Sequence, residues 1–308
     1  MTRTTAITPT HTPALKIPPI TAQPFNESAS GTSASGRATE AGMERMSGTL
    51  AGIVPRWSAV CRPQHLVTSA LVLTTLLVAS NAEAYRPFDG TDADVAEYGS
   101  FELELGPVHW YDRAGDNYLI APATVLNLGI VERTELVIDF QHYVALGALN
   151  GRPRHALLGT DVLVKHVLRE GILQGKSGLS VALEAGPLTP EINGTGAFGA
   201  SADLIVSDRW AWGSVHFNEW PMYSRRHNLD LVSDVILEGP HQWLVRPVAE
   251  FFVEKEFNGD RTASGLVGAI WTPRDSFVLD LGARGARIGD QNAAEIRFGF
   301  TWAVPVWE

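Results

Sequence analysis

The sequence predicts an all-β fold, an antiparallel up-and-down transmembrane β-barrel of about 12 strands. Three observations predict it. Short segments recur in which apolar and polar residues alternate with period two, the pattern of strands with one apolar and one polar face. The connections between them alternate between short turns and longer polar loops. Tryptophan and tyrosine gather near the segment ends, where a membrane-spanning sheet meets the headgroup region.

The chain before these segments divides in two. Residues 1–54 are rich in Thr, Ser, Pro, Gly and Ala ("TAQPFNESASGTSASGRATEAG") and lack a periodic apolar pattern. Such a stretch buries too little apolar surface to offset its ordering entropy, so it reads as a disordered extension. A translation start assigned upstream of the true one at Met43 or Met46 explains it equally well. Residues 55–84 read as a signal peptide: Arg56 and Arg62 precede an apolar run from Leu66 to Ala79, closed by Ala82-Glu83-Ala84. The run is shorter than the ~20 residues of a comfortable helical span, which disfavours a single-pass anchor. Cleavage after Ala84 leaves a barrel domain at 85–308. The one cysteine, Cys61, lies before the apolar run and suits neither a disulfide nor a lipid anchor.

In order along the barrel, "SFELELG" separates Phe101, Leu103 and Leu105 from Glu102 and Glu104. "NYLIAPATVLNLG" reads as a strand with Pro122 inside it. "TELVIDFQHY" separates Leu136, Ile138 and Phe140 from Glu135, Asp139 and Gln141. "TDVLVKHV" sets Val162 and Val164 against Asp161 and Lys165, and "LSVALEAG" sets Leu179, Val181 and Leu183 against Ser180 and Glu184. "GASADLIV" isolates Asp203. "SVHFNEW" sets Val215 and Phe217 against Ser214, His216 and Asn218. "LDLVSDVIL" sets Leu229, Leu231, Val235 and Leu237 against Asp230 and Asp234. "VRPVAEFFVEK" sets Val245, Phe251 and Val253 against Arg246, Glu250 and Glu254. "ASGLVGAIW" is Gly-rich, and "FVLDLGAR" sets Phe277, Leu279 and Leu281 against Asp280 and Arg284. The closing "EIRFGFTWAVPVW" turns Ile296, Phe298, Phe300 and Trp302 away from Glu295 and Arg297.

The connectors "VERT", "SDR", "EGPHQ" and "TPRDS" read as short turns at one end. "YDRAGDN", "ALGALNGRPRH", "TPEINGTG", "PMYSRRHN", "FNGDRT" and "RIGDQN" read as longer loops at the other. "REGILQGKSG" fits neither class. The aromatics expected in interfacial girdles are Trp110, Tyr111, Trp210, Trp212, Trp220, Tyr223, Trp243, Trp271, Trp302 and Trp307.

Alternation alone does not separate a soluble barrel, apolar inside, from a membrane barrel, apolar outside. The export signal, the aromatic girdles and the acidic mid-strand residues favour lipid on the apolar face. The lumen set is then Glu102, Glu104, Asp139, Asp161, Lys165, Glu184, Asp203, His216, Asn218, Asp234, Glu250, Glu254, Asp280, Arg284, Glu295 and Arg297. One reading makes this a network that fixes register. The other makes it a cation-preferring translocation path, since rings of Asp and Glu favour cations.

Other chemistries are disfavoured. Lys+Arg number 24 against 34 Asp+Glu and are spread thinly, which excludes a nucleic-acid partner. No metal-ligand spacing, phosphate-binding loop or nucleophile elbow is present, so no cofactor and no enzymatic activity are expected. Ser214, His216 and Asn218 lie side by side on one inner face, whereas a barrel lipase needs its site open to lipid.

The segments "VERTELVIDF", "GTDVLVKHVLREG", "SVHFN", "VAEFFVEKE" and "FVLDLGARGA" followed by "RFGFTW" resemble the outer-membrane transporter family named after the meta-pathway of phenol degradation. The resemblance covers most of 85–307. It implies a channel or transporter for small, often aromatic or hydrophobic molecules, in the outer membrane of a Gram-negative bacterium after signal-peptide cleavage. The implied partners are the lipid bilayer, the outer-membrane assembly machinery and an unidentified solute. The closing strand looks like an assembly signal, although Glu308 follows the terminal aromatic. Two alternatives stand: a structural or adhesive barrel with a plugged lumen, and a barrel enzyme acting on lipid. A bore of about twelve strands lies between the eight that side chains fill and the sixteen that leave a channel.

Overall fold

Twelve antiparallel strands close on themselves in the computed structural model, which describes residues 86–147, 153–257 and 259–307. The expected extension and signal peptide lie outside the described residues. In chain order the strands are β1 (Ser100–Arg113), β2 (Asp116–Val131), β3 (Thr134–Ala145), β4 (His155–Arg169), β5 (Ser180–Leu188) and β6 (Gly199–Trp210). They continue as β7 (Gly213–Tyr223), β8 (Leu229–Glu238), β9 (Val245–Glu256), β10 (Arg261–Arg274), β11 (Phe277–Ile288) and β12 (Gln291–Pro305). Each pairs with its sequence neighbours, and β1 closes the ring on β12 from Ser100↔Pro305 to Arg113↔Ala293. Among the described residues no helix is long and apolar enough to cross a membrane.

The wall is inverted relative to a soluble barrel. Side chains alternate across a pleated strand, and along β12 Glu295, Arg297 and Thr301 are buried while Ile296 and Phe298 are 50% and 45% exposed. On β9 the same phase buries Glu250 and Glu254 and exposes Phe251 and Val253. Val267 and Leu281 extend the exposed apolar wall across β10 and β11. The interior is therefore polar and the exterior apolar. Among the described residues, four apolar patches interrupt the polar interior: a tyrosine-rich one around Tyr111, Tyr118 and Tyr143, one around Trp220 and Phe252, one of Val248, Ile270 and Val278 packed on Phe88, and one of Ala93, Leu173, Ala182 and Ile205.

Prolines sit where the pairing slips. β1 shifts register against β12 between Leu105 and Val108, around Pro107, and β2 shifts against β3 between Ile120 and Ala123, around Pro122. Proline lacks the ladder N–H and is tolerated at bulges. An extra residue flips the alternation. On β1 the inward residues are Glu102 and Glu104 before the bulge and His109 and Tyr111 after it. Tyr111 therefore points inside, not into a girdle. Trp220 also points inside, because it shares the phase of His216 and Asn218 on β7. The remaining girdle residues are at least partly exposed. Trp210, Trp212, Trp243, Trp271, Trp302 and Trp307 all stand at the rim that also carries the start of β1 and the end of β12.

The connections follow the two-class scheme with four departures. After "YDR" and after "RI" the chain reverses in two residues, 114–115 and 289–290. Positive φ at Ala114 (52°), Gly115 (91°) and Gly289 (52°) permits these tight hairpins, so strand pairing consumes the polar flanks that read as loop. "SDR" lies within β6, and the turn is 211–212. Segment 170–179, which fits no class, forms a 3-10 turn (Ile172–Gln174) folded into the terminal rim. Its Leu173 packs on Ala93, Ala182 and Ile205.

Candidate functional site

The lumen holds the chain's own residues 86–99, an irregular segment that enters beside β1 and crosses to the opposite wall. Backbone without regular pairing, enclosed inside a barrel, must find other partners, and wall side chains supply them. The Asp89 and Gly90 N–H groups donate to Glu250 Oε1 (2.6 and 3.1 Å). The Thr91 N–H donates to Asn218 Oδ1 (3.0 Å), and Asn218 Nδ2 returns a bond to the Thr91 carbonyl (2.9 Å). The Ala93 N–H donates to Ser207 Oγ (2.9 Å) and the Ala96 N–H to Glu135 Oε2 (2.6 Å). Gln174, from the inturned segment, donates to the Ala93 carbonyl (2.9 Å). β3, β6, β7 and β9 thus act as one receptor for a peptide.

Charge fixes the same segment. Asp89 lies between Arg284 and Arg297, with Arg297 Nη2 at 2.8 Å, and Arg297 Nη1 donates to the Pro87 carbonyl (2.7 Å). Glu295 completes the group 2.9 Å from Arg297. Arg86 pairs with Asp280 (3.4 Å) and donates to His109 Nε2. Lys165 reaches Glu135 (3.6 Å), Asp92 (3.9 Å) and the Thr91 hydroxyl (3.1 Å). Charge-assisted bonds of this kind are roughly twice as strong as neutral ones. Glycines on the wall leave the segment room: a Cβ at Gly129 would collide with the Glu97 carbonyl, and one at Gly299 with Arg86 and Asp280.

A cavity of 190 Å³ remains between the segment and β2–β7. Its wall mixes Glu104, Asp139, Asp161, Glu184 and Asp203 with Tyr143, Leu163, Leu188, Trp220 and Met222. At the rim away from the termini, Arg225 pairs with Asp161 of this wall at 2.6 Å and lies 3.7 Å from Glu191. Burial raises the Glu191 carboxyl above its ordinary value.

With this geometry in view, comparison with known proteins gives a remote likeness. Similar solved structures include the KdgM porin in complex with disordered oligogalacturonate (11% identity, TM-score 0.43, covering 66% of this chain and 98% of that one). The CymD monoaromatic hydrocarbon channel is another (10% identity, TM-score 0.41, 69% and 90%), as is an anion-selective porin from Comamonas acidovorans (7%, 0.37, 66% and 98%). No protein-family model and no curated protein matches the chain.

Each residue of the expected lumen set lies on the inner face of its strand. Asn218, Glu250, Asp280, Arg284, Arg297 and Lys165 hold the inserted segment directly, and Asp234 lies against its Gly90. Glu104, Asp139, Asp161, Glu184, Asp203 and Glu295 line the cavity. Glu102 is buried in β1, and Glu254 lies towards the rim away from the termini. His216 Nδ1 meets the hydroxyl of Ser207 (2.8 Å), not of Ser214, and its Nε2 stands 3.5 Å from Glu238. Ser207 is fully buried and engaged by the inserted backbone, so this Ser-His-Glu array has no open face.

Sequence reasoning missed Arg86 and Asp89, because "YRPFDGTDADVAEYG" has no periodicity and reads as a linker. Its density of Asp, with one Arg, was the available signal. Glu135, read on the same polar face as Asp139, stands outside the expected lumen set although it shares that residue's phase.

Proposed function

We propose that the chain is an outer-membrane channel or transporter for small molecules, and that residues 86–99 are the plug of its lumen. The inverted wall carries this reading. Phe251, Val267, Leu281, Ile296 and Phe298 form a continuous apolar exterior across β9–β12 that water would penalise and lipid accepts. The tryptophans clustered at one rim supply an interfacial belt. The cavity of 190 Å³ exceeds the ~150 Å³ of an apolar cavity known to take benzene. Its mixed wall suits a small molecule with an apolar ring and a polar substituent. This agrees with what resemblance to the phenol meta-pathway family implies. Cleavage after Ala84 would start the mature chain one residue before the plug, with both termini on the periplasmic side and assembly through the outer-membrane machinery.

A second reading, a structural barrel kept shut, is favoured by the number of wall strands that grip the plug. Planar-bilayer recording separates the two. Full-length protein is expected to conduct rarely or in brief steps, and deletion of residues 86–97 should open stable steps. Silence from both proteins, each shown to be folded by its heat-modifiable migration, would overturn the channel reading and leave the structural one.

A further inference from the structure

The inner face of β8 and β9 carries an acidic group that the plug does not touch. Asp230 and Glu256 are directly opposite one another in the ladder, and Glu254 is two residues before Glu256 on the same face. All are buried, at 2%, 4% and 1% exposure for Asp230, Glu256 and Glu254. One carboxylate oxygen from each lies within 4.8 Å of the other two. Like charges set opposite on neighbouring strands repel, and buried carboxylates need compensation. Yet no oxygen of Asp230 or Glu254 is held in a well-formed hydrogen bond. The Ser224 and Thr262 hydroxyls stand alongside them, and Arg226 lies near Glu256 and Asp230. Three carboxylates and one guanidinium leave a charge that a divalent cation would balance.

The donor set selects the kind of ion: several flexible carboxylate and hydroxyl oxygens suit Ca²⁺, which takes 6–8 oxygen ligands in adaptable geometry, better than Mg²⁺, which demands near-ideal octahedral geometry and keeps several waters. We propose that Asp230, Glu254 and Glu256 bind a Ca²⁺-sized cation inside the rim opposite the termini, with the Ser224 and Thr262 hydroxyls as further oxygen ligands. The ion joins β8, β9 and the 224–228 connection, and this does not depend on whether the lumen conducts.

Thermal unfolding of the full-length protein in detergent, stripped with chelator and then titrated, tests the site. Ca²⁺ should raise the midpoint by several degrees with half-saturation at about 10⁻⁴–10⁻³ M, and Mg²⁺ at the same concentrations should do much less. Asp230→Asn/Glu254→Gln should lose the Ca²⁺ response and, relieved of repulsion, unfold no lower than wild type in chelator. If the double variant does not fold, Glu254→Gln alone should weaken half-saturation at least tenfold. An unresponsive wild type would overturn the proposal. So would a response that survives intact in the variant.

Discussion

Phe298 shows how little a residue's type says without its phase. It sits midway along β12, 45% exposed, between the buried Arg297 and a glycine against which the plug packs. If the apolar wall faces lipid, Phe298→Arg should cost about 2–4 kcal/mol, the penalty for a guanidinium near the bilayer midplane. Equilibrium unfolding in lipid vesicles by urea measures it. A cost below ~1 kcal/mol would mean that the wall does not face hydrocarbon at this depth. Arg297, one position away, is a different case: it is buried and bonded to Asp89, Glu295 and the Pro87 carbonyl. Period two leaves only two choices of face, and Arg297 takes the buried one while Phe298 takes the exposed one. The alternation that places Arg297 inside says nothing of which acid meets it.

At the scale of the element, the inserted segment and the strands behave differently as text. A strand announces itself through its own residues. Segment 86–99 has no such pattern, and its bonds span 161 residues from Asp89 to Glu250 and 210 from Pro87 to Arg297. Its stability is borrowed from the wall, including the space left by glycines. A Cβ at Gly282 would stand 3.0 Å from the Pro87 ring. Gly282→Val should therefore lift the start of the plug while leaving the barrel paired. A cysteine in place of Ala93, which is fully buried, reports this. Its maleimide labelling should accelerate roughly tenfold in the Gly282→Val background, equivalent to about 1.4 kcal/mol less protection against local opening. Unchanged labelling would show that Pro87 does not need the groove. The bulges at Pro107 and Pro122 make the same point within strands, since each reverses the alternation partway along.

For the whole molecule, the balance of charge inside the barrel decides what a path through it would prefer. The plug brings Arg86 and Asp89 to a wall that already carries Asp139, Asp161, Glu184, Asp203 and Glu250. Once the plug is removed, the uncovered carboxylates outnumber the bases on this face. Partly desolvated carboxylates attract cations and repel anions. Reversal potentials across a KCl gradient should therefore favour K⁺ over Cl⁻ in the protein lacking residues 86–97, and Glu250→Gln should weaken the preference. Anion preference would show that Arg284 and Arg297, released from Asp89, dominate the field instead.

The sequence by itself determined the strands and most of the split of each into an apolar and a polar face, with the acids on the polar one. Alternation is a local signal, and every strand of an up-and-down barrel pairs with its neighbours in the chain. Only the tertiary structure decided what the inward charges do. Glu250 and Asn218 are acceptors for a peptide backbone that arrives from the other end of the chain, Arg284 and Arg297 close on its aspartate, and the segment 170–179 turns inward to hold it. These are contacts between residues more than eighty positions apart or on opposite walls, and their free energy exists only once the barrel has closed around them.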